Sequence, residues 1–470
     1  MSIPAPRLSF GPVVLRLSIF LLFSLGLALR PVAAQTVLRD AETEALLADM
    51  SRPLIEAAGL QPENVEIVLL SDGSINAFVA GGQRVFMHSG LILAADNANE
   101  VQGVIAHELG HVEGGHIIRL GEGAQEATGI SLLSLLVGAA AIAMGAGDAG
   151  IGILSAGSRA AIGRFLSYSR VQESSADLAG ARYLSQAGIS GRGSLAFFRR
   201  LQNQEYRLAI PQDDSYDRTH PLSGERISIL RELYEADPAW DTPTDPELEA
   251  RFQRVRAKLF GYVQDYQQTL VEFPESNVSV PARYARAYAW HRAAYPDRAL
   301  AEATSLIEAE PRDPYFRELR GQILLESGRP QDALPDLRIA TEQSRNNPLI
   351  SALLGHALIA TEDESNLEEA RQVLRIAVQR DNRNPFAWRQ LGYIYSQEGD
   401  RARAYLATAE YANLAGQHVE ALRNARQAMQ NIDEGSADWL RAQDIALVSE
   451  AAIDREEPRR RREPEELGTQ

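Results

Sequence analysis

The alternation of apolar and polar positions divides the chain into a mixed front half and a wholly helical back half. Residues 38–58 repeat apolar positions at three- and four-residue intervals and are rich in Ala, Leu and Glu, which predicts an amphipathic helix stopped by Gly59. Residues 65–70, 75–80 and 85–87 are rich in β-branched and aromatic side chains, with Asp72-Gly73 and Gly81-Gly82 between them, so they predict a small sheet. Such a sheet offers an edge to which an extended polypeptide can add. A second helix follows: Asn97 and Glu100 have capping-box spacing, Val101, Val104, Ile105 and Val112 form an apolar stripe, and Gly114-Gly115 ends it.

Residues 129–146 carry no charge and approach the length of a membrane span, but they are rich in Gly and Ala. The apolar run resumes after Asp148 and continues through Leu154, ahead of Arg159 and Arg164. Residues 129–154 therefore predict a buried or interface-seeking hairpin over the site formed by the second helix, with possible peripheral membrane contact; a true span and an apolar lid are the alternatives. Residues 167–184 return to a helical pattern that closes near Gly188.

From about residue 280 the pattern is a helical repeat with a period near 34. Pro314 and Pro348 are 34 apart, and Pro385 follows after 37, the polar segment 361–366 accounting for the extra length. Trp388-x-x-Leu391-Gly392-x-x-Tyr395 reproduces the front of the tetratricopeptide consensus. Helix pairs of this kind cannot bury their faces alone, so they stack into a curved solenoid whose concave side binds protein segments. Residues 245–275, with Phe252, Val255 and Leu259, read as the helix that bridges the two halves, and the Arg- and Glu-rich stretch after Ile453 reads as a disordered tail.

Composition narrows the setting. Arg7 and Arg16 flank a short apolar core over residues 17–29, and Val32-Ala33-Ala34 precedes Gln35, the layout of a cleaved export signal. The formal charge of −16 becomes −19 once the first 34 residues, with three Arg and no acid, are removed, which argues against a nucleic-acid partner. With no Cys in the chain, disulfides, thiolate metal ligands, cysteine catalysis and a lipidated N-terminal Cys are excluded. The periplasm of a Gram-negative bacterium is the expected compartment. The division that results is 1–34 signal, 35–275 front domain, 276–453 repeat array and 454–470 tail.

The chemistry is concentrated in His107-Glu108-Leu-Gly-His111. Histidines four apart on a helix present both imidazoles on one face and can hold two corners of a tetrahedral zinc, leaving Glu108 beside the ion to act as general base on its water. A metzincin would need its third His at position 117, which is Ile117, so His116 reads as a supporting residue. Glu173 and Asp177 also lie one helical turn apart, a spacing that suits one carboxylate as ligand and the other as acceptor for the free N–H of a ligating histidine.

Taken together, Asn76-Ala-Phe78, Gly90-Leu-Ile, the His107–His111 motif, Tyr168-Ser-Arg170, Glu173-Ser-Ser-Ala-Asp177, Thr219-His-Pro221 and Glu225-Arg226-Ile227 resemble the CAAX-prenyl-protease and HtpX superfamily of gluzincin metallopeptidases. The resemblance implies a mainly α protein: an α+β zincin-like domain with a small sheet, followed by an all-α tetratricopeptide-type solenoid. It implies one zinc ion per chain on His107, His111 and Glu173, with Glu108 as base and Asp177 behind the ligands. It places Asn76 on the substrate-binding edge and His220 near the metal, either donating to the oxyanion or capping the ion when substrate is absent. Ser175 departs from the Glu that relatives often carry there. Two functions fit: a periplasmic endopeptidase that degrades misassembled envelope proteins recruited by the array, or an assembly factor that holds envelope proteins while its protease site stays mostly latent.

Overall fold

The structure, a computed structural model, describes residues 36–116, 128, 133–135, 147–207, 220 and 224–466. The segment expected to be an export signal, residues 1–34, and most of the apolar stretch 129–146 lie outside the described residues. Strand β1 (Thr36–Leu38) leads into helix α1 (Ala41–Ala57), and β2 (Glu66–Ser71), β3 (Ala77–Ala80) and β4 (Arg84–His88) follow. The sheet order is β1-β2-β4-β3: β2 and β4 run parallel, and the two outer strands pair antiparallel, so β3 is an edge. The first helix therefore starts later than its apolar pattern suggests. A three-residue strand carries no readable periodicity, and Asp40 sets the true helix start by accepting from the Thr43 amide at 2.8 Å. Gly59, at φ +72°, closes the helix as expected.

Short α2 (Ser89–Ala94) precedes α3 (Ala98–Glu113), which is capped by Asn97 accepting from the Glu100 amide at 3.0 Å. The Glu100 carboxylate reaches back to the amide of Asp96 instead of that of the cap itself, one residue further than a standard capping box. Helix α3 is buried on every side over residues 98–111, not along one stripe alone. It lies at the centre of a core that includes Met50, Leu54, Met87, Tyr183, Phe197 and Phe252. Burial of Val101, Val104 and Ile105 contributes about 1.5–3 kcal/mol each.

Helix α4 (Gly147–Gln186) packs against α3, followed by α5 (Arg192–Arg207) and α6 (Gly224–Glu235). Residues 147–154, expected in an apolar hairpin, are instead the first turns of the 40-residue helix that carries Glu173 and Asp177. Two glycines set how closely these helices meet: a methyl group at Gly110 would lie 2.7 Å from the Ala176 carbonyl oxygen, and one at Gly103 would lie 2.5 Å from Ser194 Cα. Among the described residues no helix is long and apolar enough to cross a membrane.

The bridging helix is α7 (Pro246–Val263), whose Phe252, Val255 and Leu259 join the front core. After α8 (Tyr266–Glu272) come the paired helices α9 (Val280–Arg292), α10 (Pro296–Ala309), α11 (Pro314–Glu326), α12 (Pro330–Gln343), α13 (Pro348–Ala360), α14 (Leu367–Arg380), α15 (Pro385–Gln397), α16 (Arg401–Leu414) and α17 (His418–Asn431). Asp313, Asn347 and Asn384 cap α11, α13 and α15, each directly before a proline, which explains the repeating proline register. The polar segment 361–366 holds a single 3₁₀ turn over Glu364–Asn366. The last helix, α18 (Ala437–Glu466), continues through most of the stretch expected to be disordered. Glu and Arg are strong helix formers and have a continuous helix to extend there.

A buried ionic group joins the two halves. Lys258 on α7 lies 2.6 Å from Asp40 and 3.2 Å from Glu42, Tyr284 on α9 donates to Glu42 at 2.8 Å, and Arg254 reaches both Glu42 and Asp313. Ala41 packs against Ala340 and Ile350 of the array. Exposed pairs Arg39–Asp381 and Arg383–Glu66 link the first strands to the turn before α15. Burial pushes the Glu318 carboxyl up to about 8, with Asp40, Glu42 and Asp313 adding to the push and Lys258 opposing it. The folded chain thus keeps a proton that the unfolded chain gives up near 4.5, so stability falls as pH rises between these values. Glu318→Gln, which cannot ionise, is expected to melt higher than wild type at pH 8, with the difference shrinking toward about pH 5 in scanning calorimetry.

Candidate active site

The helical repeat of α3 turns His107 and His111 to one side, where their Nε2 atoms are 3.2 Å apart. Helix α4 brings Glu173 across from them, with Oε2 3.4 Å from His107 Nε2 and Oε1 3.3 Å from His111 Nε2. His220, between α5 and α6, adds Nδ1 at 3.1 Å from Glu173 Oε1 and 3.3 Å from His107 Nε2. All four residues are buried, and their ligand atoms lie within 4.8 Å of one another.

Behind the cluster, Asp177 Oδ1 lies 3.0 Å from His107 Nδ1 and fixes the ring from its far side. Arg226 donates to both oxygens of Asp177, at 2.6 and 2.8 Å, and its third nitrogen lies 3.2 Å from Glu173. His116 meets Nδ1 of His111 at 2.9 Å and stays out of the ligand group. Burial alone would lower the His107 imidazole, but Asp177 and Glu173 hold its proton and raise it to about 10. Burial lowers His111. Glu173 and Asp177 fall below the usual carboxylate range despite burial, because histidines surround the first and Arg226 and His107 grip the second.

Two observations test whether these residues fit a metal ion. Glu108 is 0 % exposed, and neither carboxylate oxygen has a hydrogen-bond partner among the described residues, although His220 Nε2 is 3.5 Å away. A buried carboxylate with no such partner is costly unless the site supplies a cation or water. His220 Nε2 lies 3.2 Å from the Ala77 carbonyl, a contact that requires a proton on Nε2. The ring's Nδ1 then turns its lone pair toward Glu173, an arrangement that a cation between them satisfies. The donor set of imidazoles and one carboxylate suits a divalent first-row metal.

Three further placements bear on the site. Asn76 is buried at the start of edge strand β3, with its backbone carbonyl accepting from the His88 amide. That pairing turns the backbone groups of Ala77 and Val79 to the open side of the edge. Ala77 and Arg226 thus belong to the site although spacing alone assigned them no role. The signal for Arg226 was a charged residue on the same helical face as Ile227, Leu230 and Tyr234, all of which are buried. No comparable signal marked Ala77, whose contribution is a main-chain carbonyl.

A metal-ligand cluster built on a buried His-Glu-x-x-His helix, beside the edge of a small sheet, defines a metallopeptidase. The signature of peptidase family M48 matches residues 41–234, a span that holds every site residue named above. The chain is 31% identical over 193 residues to metalloprotease YcaL of Escherichia coli K12, covering 40% of this chain and 68% of that protein. It is also 26% identical over 429 residues to the putative beta-barrel assembly-enhancing protease of Vibrio cholerae, covering 90% of this chain and 86% of that one. The beta-barrel assembly-enhancing protease of Escherichia coli K12 is 25% identical over 383 residues, covering 79% and 76%. The chain belongs to peptidase family M48 and is a metallopeptidase.

Because His107 in the metal-free protein holds its proton up to about pH 10, a divalent ion must displace it. Titration calorimetry near neutral pH, in buffers of different ionisation enthalpy, is expected to show about one proton released per ion bound. Release near zero would mean that the metal-free imidazole is already neutral.

Proposed function

We propose that the chain is a zinc endopeptidase of the Gram-negative periplasm, with one ion per chain held by His107, His111 and Glu173. Zinc, when bound, supplies a Lewis acid that makes water nucleophilic and polarises the peptide carbonyl. The observation that carries the reading is the buried Glu108 carboxylate, which has no hydrogen-bond partner among the described residues beside four convergent ligand groups. Glu108 accepts the proton of the attacking water and returns it to the leaving amine. Asp177, itself held by Arg226, keeps the His107 ring turned toward the ligand cluster. The substrate extends along β3, using the outward main-chain groups of Ala77 and Val79, with Asn76 at the start of that edge. The array recruits the clients, misfolded or misassembled envelope proteins; the names of the Vibrio and Escherichia relatives support β-barrel assembly as the setting.

Metal content and casein cleavage, measured together, test this reading. Glu108→Gln is expected to keep its metal and lose cleavage by about 10²-fold or more, and Glu173→Ala is expected to lose the metal. Full activity in metal-loaded Glu108→Gln would reject the mechanism.

One feature favours the second reading, an assembly factor with a mostly latent site. His220 stands among the ligands and also takes up the Ala77 carbonyl, the first acceptor on the open edge. In that role it caps the ion and blocks strand addition until a client displaces it. His220→Ala then raises casein cleavage, whereas a histidine that stabilises the oxyanion lowers cleavage when removed. Rescue of a deletion strain by Glu108→Gln would favour the binding role.

A further inference from the structure

The repeat array contains a second concave site, remote from the metal ligands in the sequence. A pocket of about 240 Å³ opens among α14, α15, α16 and α18. Its floor is apolar, made by Leu391, Leu406 and the Trp388 ring, whose N–H is already donated to the Asn382 carbonyl. Its rim holds three arginines, Arg375, Arg403 and Arg441, against a single carboxylate, Asp438.

The donors on that rim outnumber the acceptors. Arg403 is paired with Asp438 at 3.3 Å and with Asp400 at 2.9 Å, and Arg441 is paired with Glu410 and stacked 4.7 Å from the Trp388 ring. Each guanidinium has five N–H groups, so both keep donors to spare. Arg375 is exposed and makes no ion pair or hydrogen bond among the described residues, and the Tyr395 hydroxyl beside it makes no hydrogen bond among them.

A ligand complementary to this site carries a carboxylate directly next to an apolar group. The volume is below that of a drug-sized pocket and suits a single residue. Within a polypeptide, only the C-terminal residue places a carboxylate and an apolar side chain on the same carbon. We propose that this pocket binds the free C-terminus of a polypeptide, with its α-carboxylate on Arg375 and the Tyr395 hydroxyl and its last, apolar side chain against Trp388, Leu391 and Leu406. The proposal does not depend on the endopeptidase reading, because it concerns binding at a separate site.

The test uses the full-length chain and fluorescein-labelled octapeptides of one sequence, read by anisotropy, with mass spectrometry to verify that the probe stays intact. A peptide ending in Leu with a free carboxylate is expected to bind at least about tenfold more tightly than its C-terminal amide, the weight of a charge-assisted arginine–carboxylate pair. Arg375→Ala loses a similar factor, Tyr395→Phe loses a few-fold, and Arg423→Ala, an exposed arginine elsewhere on the array, changes nothing. Because Arg375 is exposed and has no hydrogen-bond or ion-pair partner among the described residues, its removal leaves the melting temperature in place. Equal binding of acid and amide, or unchanged binding in Arg375→Ala, overturns the proposal. So does tight binding of an amidated peptide ending in Glu, which would mean that the pocket reads a side-chain carboxylate.

Discussion

Three carboxylates, those of Glu108, Glu173 and Asp177, are buried around one point, and charge of a single sign cannot be concentrated in a low-dielectric interior without compensation. Arg226 supplies one positive charge from within the same pocket. In the metal-free protein a proton on His107 supplies a second, and a divalent ion in its place brings the total to neutrality. Much of the front half follows from this constraint. Helices α3 and α4 must approach closely enough for Glu173 to face both histidines, which the small residues at Gly110 and Ala176 permit. Helix α6 must then present an arginine where its neighbours on the same face are apolar.

The junction obeys a related rule with a different solution. Asp40, Glu42, Arg254 and Lys258 place opposite charges in contact between the first helix and the bridging helix, and Arg254–Asp313 and the Tyr284–Glu42 hydrogen bond carry the group across to the array. Breaking one partner of such a group leaves a buried charge uncompensated, which costs about 3–5 kcal/mol. The array is therefore held to the front half by interactions that are specific in direction and costly to break. The exposed pairs at Arg39 and Arg383 contribute little and weaken with salt.

Features written in short-range spacing were legible in the sequence. The His107–His111 helix, its asparagine cap, the Glu173/Asp177 turn and the proline register of the array each depend on residues a few positions apart, and the structure places them as expected. What escaped depends on distant partners. Strand β1 exists because it pairs with β2, not because of its own three residues. Arg226 has meaning only once Asp177 is beside it, and Ala77 contributes through its main chain, which every residue possesses. The 40-residue length of α4 was hidden by a change of composition, from Gly and Ala to charged residues, that suggests a boundary where the backbone has none.

The placement of the first helix inside the junction also fixes an order of events. Glu42 precedes Lys258 by 216 residues and Tyr284 by 242. At typical synthesis rates the helix waits roughly ten to fifty seconds for Lys258 and then Tyr284 to emerge. Throughout that interval Asp40 and Glu42 lack the cation that later covers them, so α1 cannot dock finally onto α7 however early its own turns form. The first helix is therefore among the last parts of the front half to be satisfied, and a chain cut short before α7 would leave Asp40 and Glu42 without the cations that cover them.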